Sequence, residues 1–237
     1  MPIGSMMPTN NSPIILAIDT ADLDQARRWV SLTSGSIAVY KLGLEFFLKF
    51  GAQGVAAVQS ETDAKIFLDL KLHDIPNTVG AACAQVSALK PKFLTVHASG
   101  GPAMIKAAAN NAPEIAITAV TILTSLSQDD MKLIGFEGTA QSRAIELAKL
   151  AVAAGAKAIV CSPHEIVGIR AVINDDISII TPGIRPKNLA GGDDQKRVMD
   201  PKSAISAGAN YLVIGRPITG ATDVAKAAQT ILSESLS

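Results

Sequence analysis

The feature that most limits the fold of this chain is an eightfold alternation of short apolar runs with longer segments of helical pattern. The runs, rich in Ile, Val, Leu and Ala, occupy residues 14–19, 37–41, 65–71, 93–97, 115–121, 157–161, 177–181 and 211–214. Helical patterns separate them, as at 22–32, 78–89, 102–110, 141–154 and 222–233. Strand–helix alternation implies parallel pairing through right-handed crossovers, since parallel strands need a long return path that a helix supplies. Near-continuous apolar strands fit a sheet covered on both faces. Eight such units in 237 residues predict an α/β fold closed as a single (β/α)8 TIM barrel. An open doubly wound sheet is the competing architecture. Against it, no G-x-G-x-x-G follows the first run, where a dinucleotide-binding version would carry one. Residues 14–237 read as one barrel domain. Residues 1–13, polar and rich in Pro, Ser and Asn, read as a flexible extension with Met6 or Met7 as alternative starts.

Charge and cysteine content narrow the partners. Lys+Arg 21 balances Asp+Glu 21, so there is no basic footprint for nucleic acid, although a small anion needs only local charge. Cys83 and Cys161 have no zinc-type spacing and imply no disulfide framework; they read as free thiols in a reducing cytoplasm. No apolar run approaches the roughly 18 residues of a membrane span, and the first residues lack the pattern of a signal peptide. The expectation is a cytoplasmic protein with neither nucleic acid nor membrane as partner.

Barrel enzymes carry their sites at the C-terminal strand ends, and ionisable residues gather there in this chain. Asp19 closes the first run, Lys41 the second, and Asp69 and Lys71 the third. Side chains alternate along a strand, so Asp69 and Lys71 share one face while Ile66, Leu68 and Leu70 turn toward covering helices. The bland reading is a structural ion-pair network. Charges partly withdrawn from water cost several kcal/mol unless paired, which makes a cluster kept for stability alone weakly motivated.

A second cluster follows the last two runs. After the seventh come Gly183-Ile-Arg185-Pro and Gly191-Gly192-Asp-Asp-Gln195-Lys-Arg197; after the eighth comes Gly215-Arg216-Pro217. Barrels often bind phosphate at these two loops through backbone N–H groups, and Arg216 would add a bidentate clamp. Otherwise Arg216 is a solvated surface arginine. His97 reads as hydrogen-bonded structure rather than a base, and His73 has no settled direction. Asp74 reads on local pattern as the N-cap of a helix entered through Pro76. Trp29 and Phe46-Phe47 read as packing, and His164 as surface.

The stretch Phe67-Leu-Asp69-Leu-Lys71-Leu-His73-Asp74-Ile-Pro76-Asn-Thr78 closely resembles the signature of the orotidine 5′-phosphate decarboxylases, of bacterial type. Agreement continues through Ala17-Ile-Asp19, Lys41-Leu-Gly43, Val96-His97-Ala98 with Gly100-Gly101, and Leu123-Thr124-Ser125. Thr181-Pro182-Gly183-Ile-Arg185-Pro186 and Ile214-Gly215-Arg216-Pro217-Ile218 complete it, so the resemblance runs from about Ile14 to the end. It implies a cofactor-free, metal-free carboxy-lyase of pyrimidine synthesis that converts orotidine 5′-phosphate to UMP and CO2. By the same resemblance, Lys71 is the proton donor between Asp69 and Asp74, with Lys41 in the charge array. Asp19 and Lys41 hold the ribose, Thr124 and Ser125 the pyrimidine, and Arg185, Gln195, Gly215 and Arg216 the phosphate, with Pro182 a further substrate-binding residue. Gln195 takes its place from its neighbours Lys196-Arg197-Val198. Asp74 and Thr78 reach the neighbouring subunit's site in a homodimer.

The chemistry so implied asks for a fixed electrostatic field, because the carbanion left at C6 has no π-system to spread into. An ammonium flanked by carboxylates stays charged and can both stabilise and protonate that carbon. A Schiff-base lysine wants a cationic neighbour instead, and Lys71 has acids. A divalent-metal sugar-phosphate enzyme would take Asp19, Asp69 and Asp74 as oxygen ligands, with the interleaved lysines competing against the ion. A barrel that binds a phosphorylated ligand without turnover is the non-enzyme alternative.

Overall fold

The computed structural model describes residues 12–186 and 198–237, and these form a closed barrel of eight parallel strands in the order β1 to β8. The strands are β1 (Ile14–Ile18), β2 (Val39–Gly43), β3 (Lys65–Leu72), β4 (Phe93–His97), β5 (Ala116–Val120), β6 (Ala158–Val160), β7 (Ser178–Thr181) and β8 (Tyr211–Ile214). Between and after them run α1 (Leu23–Thr33), α2 (Leu44–Gln59), α3 (Pro76–Ser87), α4 (Gly101–Asn111) and α5 (Gln128–Leu133). The outer ring continues with α6 (Ala140–Ala153), α7 (Ile166–Arg170), α8 (Pro201–Ser206), α9 (Arg216–Thr219) and α10 (Val224–Leu236). The predicted (β/α)8 architecture is the observed one, with all eight strands where the apolar runs fall.

Strand alternation divides the apolar residues into two cores. One side of each strand packs against the helices, as Ile14, Leu16, Ile18, Leu42, Ile66, Leu68 and Leu70 do. The other side fills the lumen, where Ile15, Val39, Phe67, Phe93, Ala158 and Ile180 form a separate cluster. Phe67 and Phe93 meet edge to face at 5.7 Å, as do Phe93 and Tyr211 at 5.4 Å. This plug fills the lower and middle lumen and separates the base of the barrel from its C-terminal mouth.

Helix starts follow ordinary cap chemistry, with Asp22, Asp200 and Asp223 each accepting a backbone N–H in the first turn of α1, α8 and α10. Two local expectations need correction. The second strand runs past Lys41 to Gly43. The packed chain begins before residue 14: the Ser12 hydroxyl donates to the Ser36 carbonyl at 2.7 Å, and Leu212 N–H donates to the Pro13 carbonyl at 2.8 Å. Residues 1–11 of the expected extension lie outside the described residues. The N-cap of α3 is Ile75, so the local alternative that made Asp74 the cap does not hold. Pro76 holds Ile75 extended, and the Asp74 carboxylate folds onto the Ile75 N–H at 2.6 Å.

Candidate active site

A cavity of about 320 Å³ opens at the C-terminal mouth of the barrel. Of the residues singled out from sequence, Asp19, Lys41, Asp69, Lys71, Thr124, Pro182, Arg185, Gly215 and Arg216 line it. They come from both chain ends and six of the eight strand-end regions, which only barrel closure brings together. Its apolar wall is Ala17, Phe67, Val120, Ile122, Val160 and Val213, and Phe67, Val160 and Val213 join it to the luminal cluster below. A cavity of this kind, joining an apolar wall to several convergent charges, suits a small polar ligand.

The charges alternate across one side of the mouth. Lys41 Nζ lies 3.3 Å from Asp19 Oδ1 and 3.5 Å from Asp69 Oδ2, and Lys71 Nζ lies 2.8 Å from Asp69 Oδ1. Each Asp69 oxygen therefore faces its own ammonium. The Lys41 and Asp69 side chains are 11% and 13% exposed, Lys71 is 31%, and Asp19, at 65%, is the solvent end of the row. Burial pushes the Asp69 carboxyl up, but Lys41, then Lys71, outweigh it, and with hydrogen bonds from Lys71 and Thr95 they hold it below the usual carboxylate range. Burial likewise pushes Lys41 down, and the carboxylates of Asp69 and Asp19 more than reverse this. Both partners are thus driven toward their charged forms.

Lys71 occupies the left-handed region, with φ at +49°, a conformation that costs a side-chain-bearing residue about 1–3 kcal/mol. It stands where β3 loses register with β4: Leu68 pairs with Leu94, but the next pair is Leu72 with Val96. The expected sharing of one face by Asp69 and Lys71 is realised, through a bulge rather than a regular pleat. Thr95 of β4, fully buried, accepts the Lys71 N–H at 2.8 Å and donates to Asp69 Oδ1 at 3.0 Å. Sequence reading missed Thr95; its one available signal was a hydroxyl on the lumen-facing side of an apolar strand beside β3.

On the opposite side, the turn after β7 passes through Gly183 at φ +77°, a value that disfavours any Cβ. Arg185 N–H donates to the Met199 carbonyl at 3.0 Å and Met199 N–H to the Gly183 carbonyl at 3.3 Å, a short bridge that fixes the neck of the loop. Gly215 leads directly into α9, setting Arg216 on the rim. Gly191, Gly192, Gln195 and Arg197 lie outside the described residues.

Three expected site residues are not brought to the cavity. Ser125 is exposed next to Thr124. Asp74 and Thr78 are exposed at the start of α3, so the Asp74 carboxylate is not part of the array formed within one chain. His97 packs its ring against His73 at 5.4 Å between centroids, and burial, then His73 and Lys71, lower its basicity against an opposing pull from Asp69. Among the described residues, no three His, Cys, Asp or Glu side chains converge as a metal site would require.

Comparison with known proteins gives a consistent result. The family model described as orotidine 5′-phosphate decarboxylase / HUMPS family matches residues 12–231. An orotidine 5′-phosphate decarboxylase of Thermobifida fusca (strain YX) is 47% identical over 223 residues, covering 94% of this chain and 95% of that protein. One from Wolbachia pipientis subsp. Culex pipiens (strain wPip) is 44% identical over 223 residues, covering 93% and 97%. The crystal structure of the decarboxylase from Lactobacillus acidophilus superposes with a TM-score of 0.83 at 34% identity, covering 95% of this chain and all of that one.

Proposed function

This chain belongs to the orotidine 5′-phosphate decarboxylase / HUMPS family, and from that membership we infer that it decarboxylates orotidine 5′-phosphate to UMP and CO2 with Lys71 as proton donor. One observation carries the reading: the alternating Asp19–Lys41–Asp69–Lys71 row, with every member on the wall of one cavity. When the bond from C6 to the carboxyl carbon breaks, its electron pair stays on C6 and CO2 departs. The Lys71 ammonium stabilises that pair and then delivers a proton to it, and the amine regains a proton from solvent. At about 4 Å and an effective dielectric near 20, one such ammonium contributes roughly 4 kcal/mol. Enzymes reach barrier reductions of up to ~23 kcal/mol, so substrate positioning must supply much of the rest.

Asp19 and Lys41 take the ribose hydroxyls, and Thr124 and Ser125 the pyrimidine edge. Arg185, Gly215 and Arg216 hold the phosphate with Pro182 beside them, and Gln195 joins them from the loop beyond Arg185. What supports this is their distribution: cations and backbone on the β7–β8 side, the carboxylate–ammonium row on the β1–β3 side. Asp74 and Thr78 serve the partner's site in a homodimer. Their exposure, with Ile75 between them 66% exposed, leaves them available to a second copy. The reaction uses no metal and no cofactor, and the setting is the cytoplasm, where free buried Cys83 and Cys161 suit a reducing medium. No helix among the described residues is long and apolar enough to cross a membrane.

The test is the ultraviolet spectrum of orotidine 5′-phosphate on adding the protein, with and without a chelator, repeated with Lys71→Ala. Wild type bleaches the orotate band in both conditions and Lys71→Ala does not. An unchanged band with wild type overturns the activity, and loss of turnover in chelator overturns the metal-free reading.

A further inference from the structure

We propose that Thr95 is a positioning residue for this site, its hydroxyl replacing the strand-to-strand bond that the β3 bulge removes and so fixing both Asp69 and the turn that aims Lys71. The proposal rests on the decarboxylase reading for its kinetic consequence, but its structural content stands on β3 and β4 alone. Between the pairs Leu68–Leu94 and Leu72–Val96, residues 69, 70 and 71 of β3 face only Thr95 of β4. Two extra residues on one strand leave backbone groups without ladder partners, and a buried unpaired N–H is costly. The Lys71 N–H finds its acceptor in Thr95 Oγ1, at 2.8 Å.

The same hydroxyl has one hydrogen to give, and it points to Asp69 Oδ1 at 3.0 Å. That oxygen also receives the Lys71 ammonium at 2.8 Å. A small closed circuit results, running from Lys71 backbone to Thr95 hydroxyl to Asp69 carboxylate to Lys71 side chain. It ties the left-handed backbone of Lys71 to the position of its own Nζ. Thr95 has no exposed surface, so water has little access to replace the hydroxyl.

The neighbouring strand supplies an internal control. Thr118 of β5 pairs in register with Thr95 and is equally buried, yet its hydroxyl bonds back to the Ala116 carbonyl of its own strand at 2.9 Å. A buried barrel threonine can therefore be merely satisfied. Thr95 differs in that both its bonds cross to the strand that carries the charges.

The experiment compares Thr95→Val, Thr95→Ala, Thr95→Ser and Thr118→Val for kcat, KM, UMP affinity and hydrogen exchange at the Lys71 amide. Thr95→Val and Thr95→Ala are expected to lower kcat about tenfold to a hundredfold, the scale of a small misplacement of catalytic groups, while UMP affinity moves less than about threefold. Thr95→Ser retains the hydroxyl and stays within about threefold of wild type, as does Thr118→Val. The Lys71 amide exchanges faster in the Val and Ala variants only. Wild-type kcat in Thr95→Ala, unchanged Lys71 exchange, or a Thr95→Ser variant as impaired as Thr95→Ala each overturns the proposal. Should wild type fail to turn over orotidine 5′-phosphate, the activity falls, and amide exchange still decides the role of Thr95.

Discussion

The two ends of the barrel lumen each hold a partly buried lysine arrangement, and they solve it differently. At the mouth, Lys41 and Lys71 share the Asp69 carboxylate, with Asp19 beyond. At the base, Lys92 donates to the Tyr211 hydroxyl and lies 4.7 Å over the Tyr211 ring and 5.1 Å over that of Phe93. Among the described residues no carboxylate pairs with it. An ammonium can thus be held at the end of this barrel by a phenol and two aromatic faces, interactions that demand no second buried charge. Buried ion pairs contribute little net stability compared with apolar packing of the same volume. The carboxylates of the mouth are better explained by what they do to Lys71 than by what they do for the fold.

That contrast breaks most visibly if Lys71→Ala leaves turnover intact. Loss of both the field and the proton donor is expected to lower kcat by at least about 10⁴-fold, with the melting temperature little changed because the side chain is partly exposed. Phe93→Ala is the mirror experiment at the base. It removes a ring packed against Phe67, Tyr211 and the Lys92 ammonium, and is expected to cost about 3–5 kcal/mol of stability. Denaturant titration measures it. Protein that remains folded should keep kcat within a few fold, and a deep loss of kcat there would mean that the base is not merely structural.

The asymmetry of the two ends also explains what was legible in sequence. Strand ends carrying Asp19, Lys41, Asp69 and Lys71 could be seen because spacing along one strand is local information, and barrel closure then follows from eight repeated units. Thr95 could not be seen, because its role depends on the register between β3 and β4, set by packing between segments more than twenty residues apart. At Asp74 the local pattern of a cap was present but was outweighed by the longer motif around it, and the cap is Ile75, just ahead of Pro76. At the other end, Ser12 and Pro13 look like tail, yet the first and eighth strands need their hydrogen bonds to close the base.

Asp69→Asn sharpens the comparison at the mouth. It removes the carboxylate shared by the two ammoniums and leaves only the more exposed Asp19 beside Lys41, so a stability loss of about 3 kcal/mol is expected at neutral pH, alongside a large loss of kcat. The pH dependence has a definite sign. Because Asp69 titrates below its unfolded value in the native state, its contribution is complete above the ordinary carboxylate range and is lost as pH falls through the lowered native value. Wild-type stability should therefore fall on acidification below about pH 4, where an unfolded aspartate takes up its proton, and the gap to Asp69→Asn should narrow there. Parallel curves for the two proteins would mean that Asp69 is not held ionised by its neighbours.

The smallest effect is expected at Lys92. Lys92→Met keeps an unbranched stem of similar length against Phe93 and Tyr211 and removes the charged donor at its tip. What is lost is a cation–π contact with each ring, about 0.5–1 kcal/mol apiece, and one hydrogen bond to a phenol. What is gained is relief from holding an ammonium partly out of water with no ion-pair partner among the described residues, a term of the same size and opposite sign. The net change should stay within about 1 kcal/mol in denaturant titration, and kcat should not move, since the luminal plug of Phe67 and Phe93 separates this end from the cavity. A loss as large as that of Asp69→Asn would put the two lysine environments on equal footing, and the mouth carboxylates would then need no functional explanation.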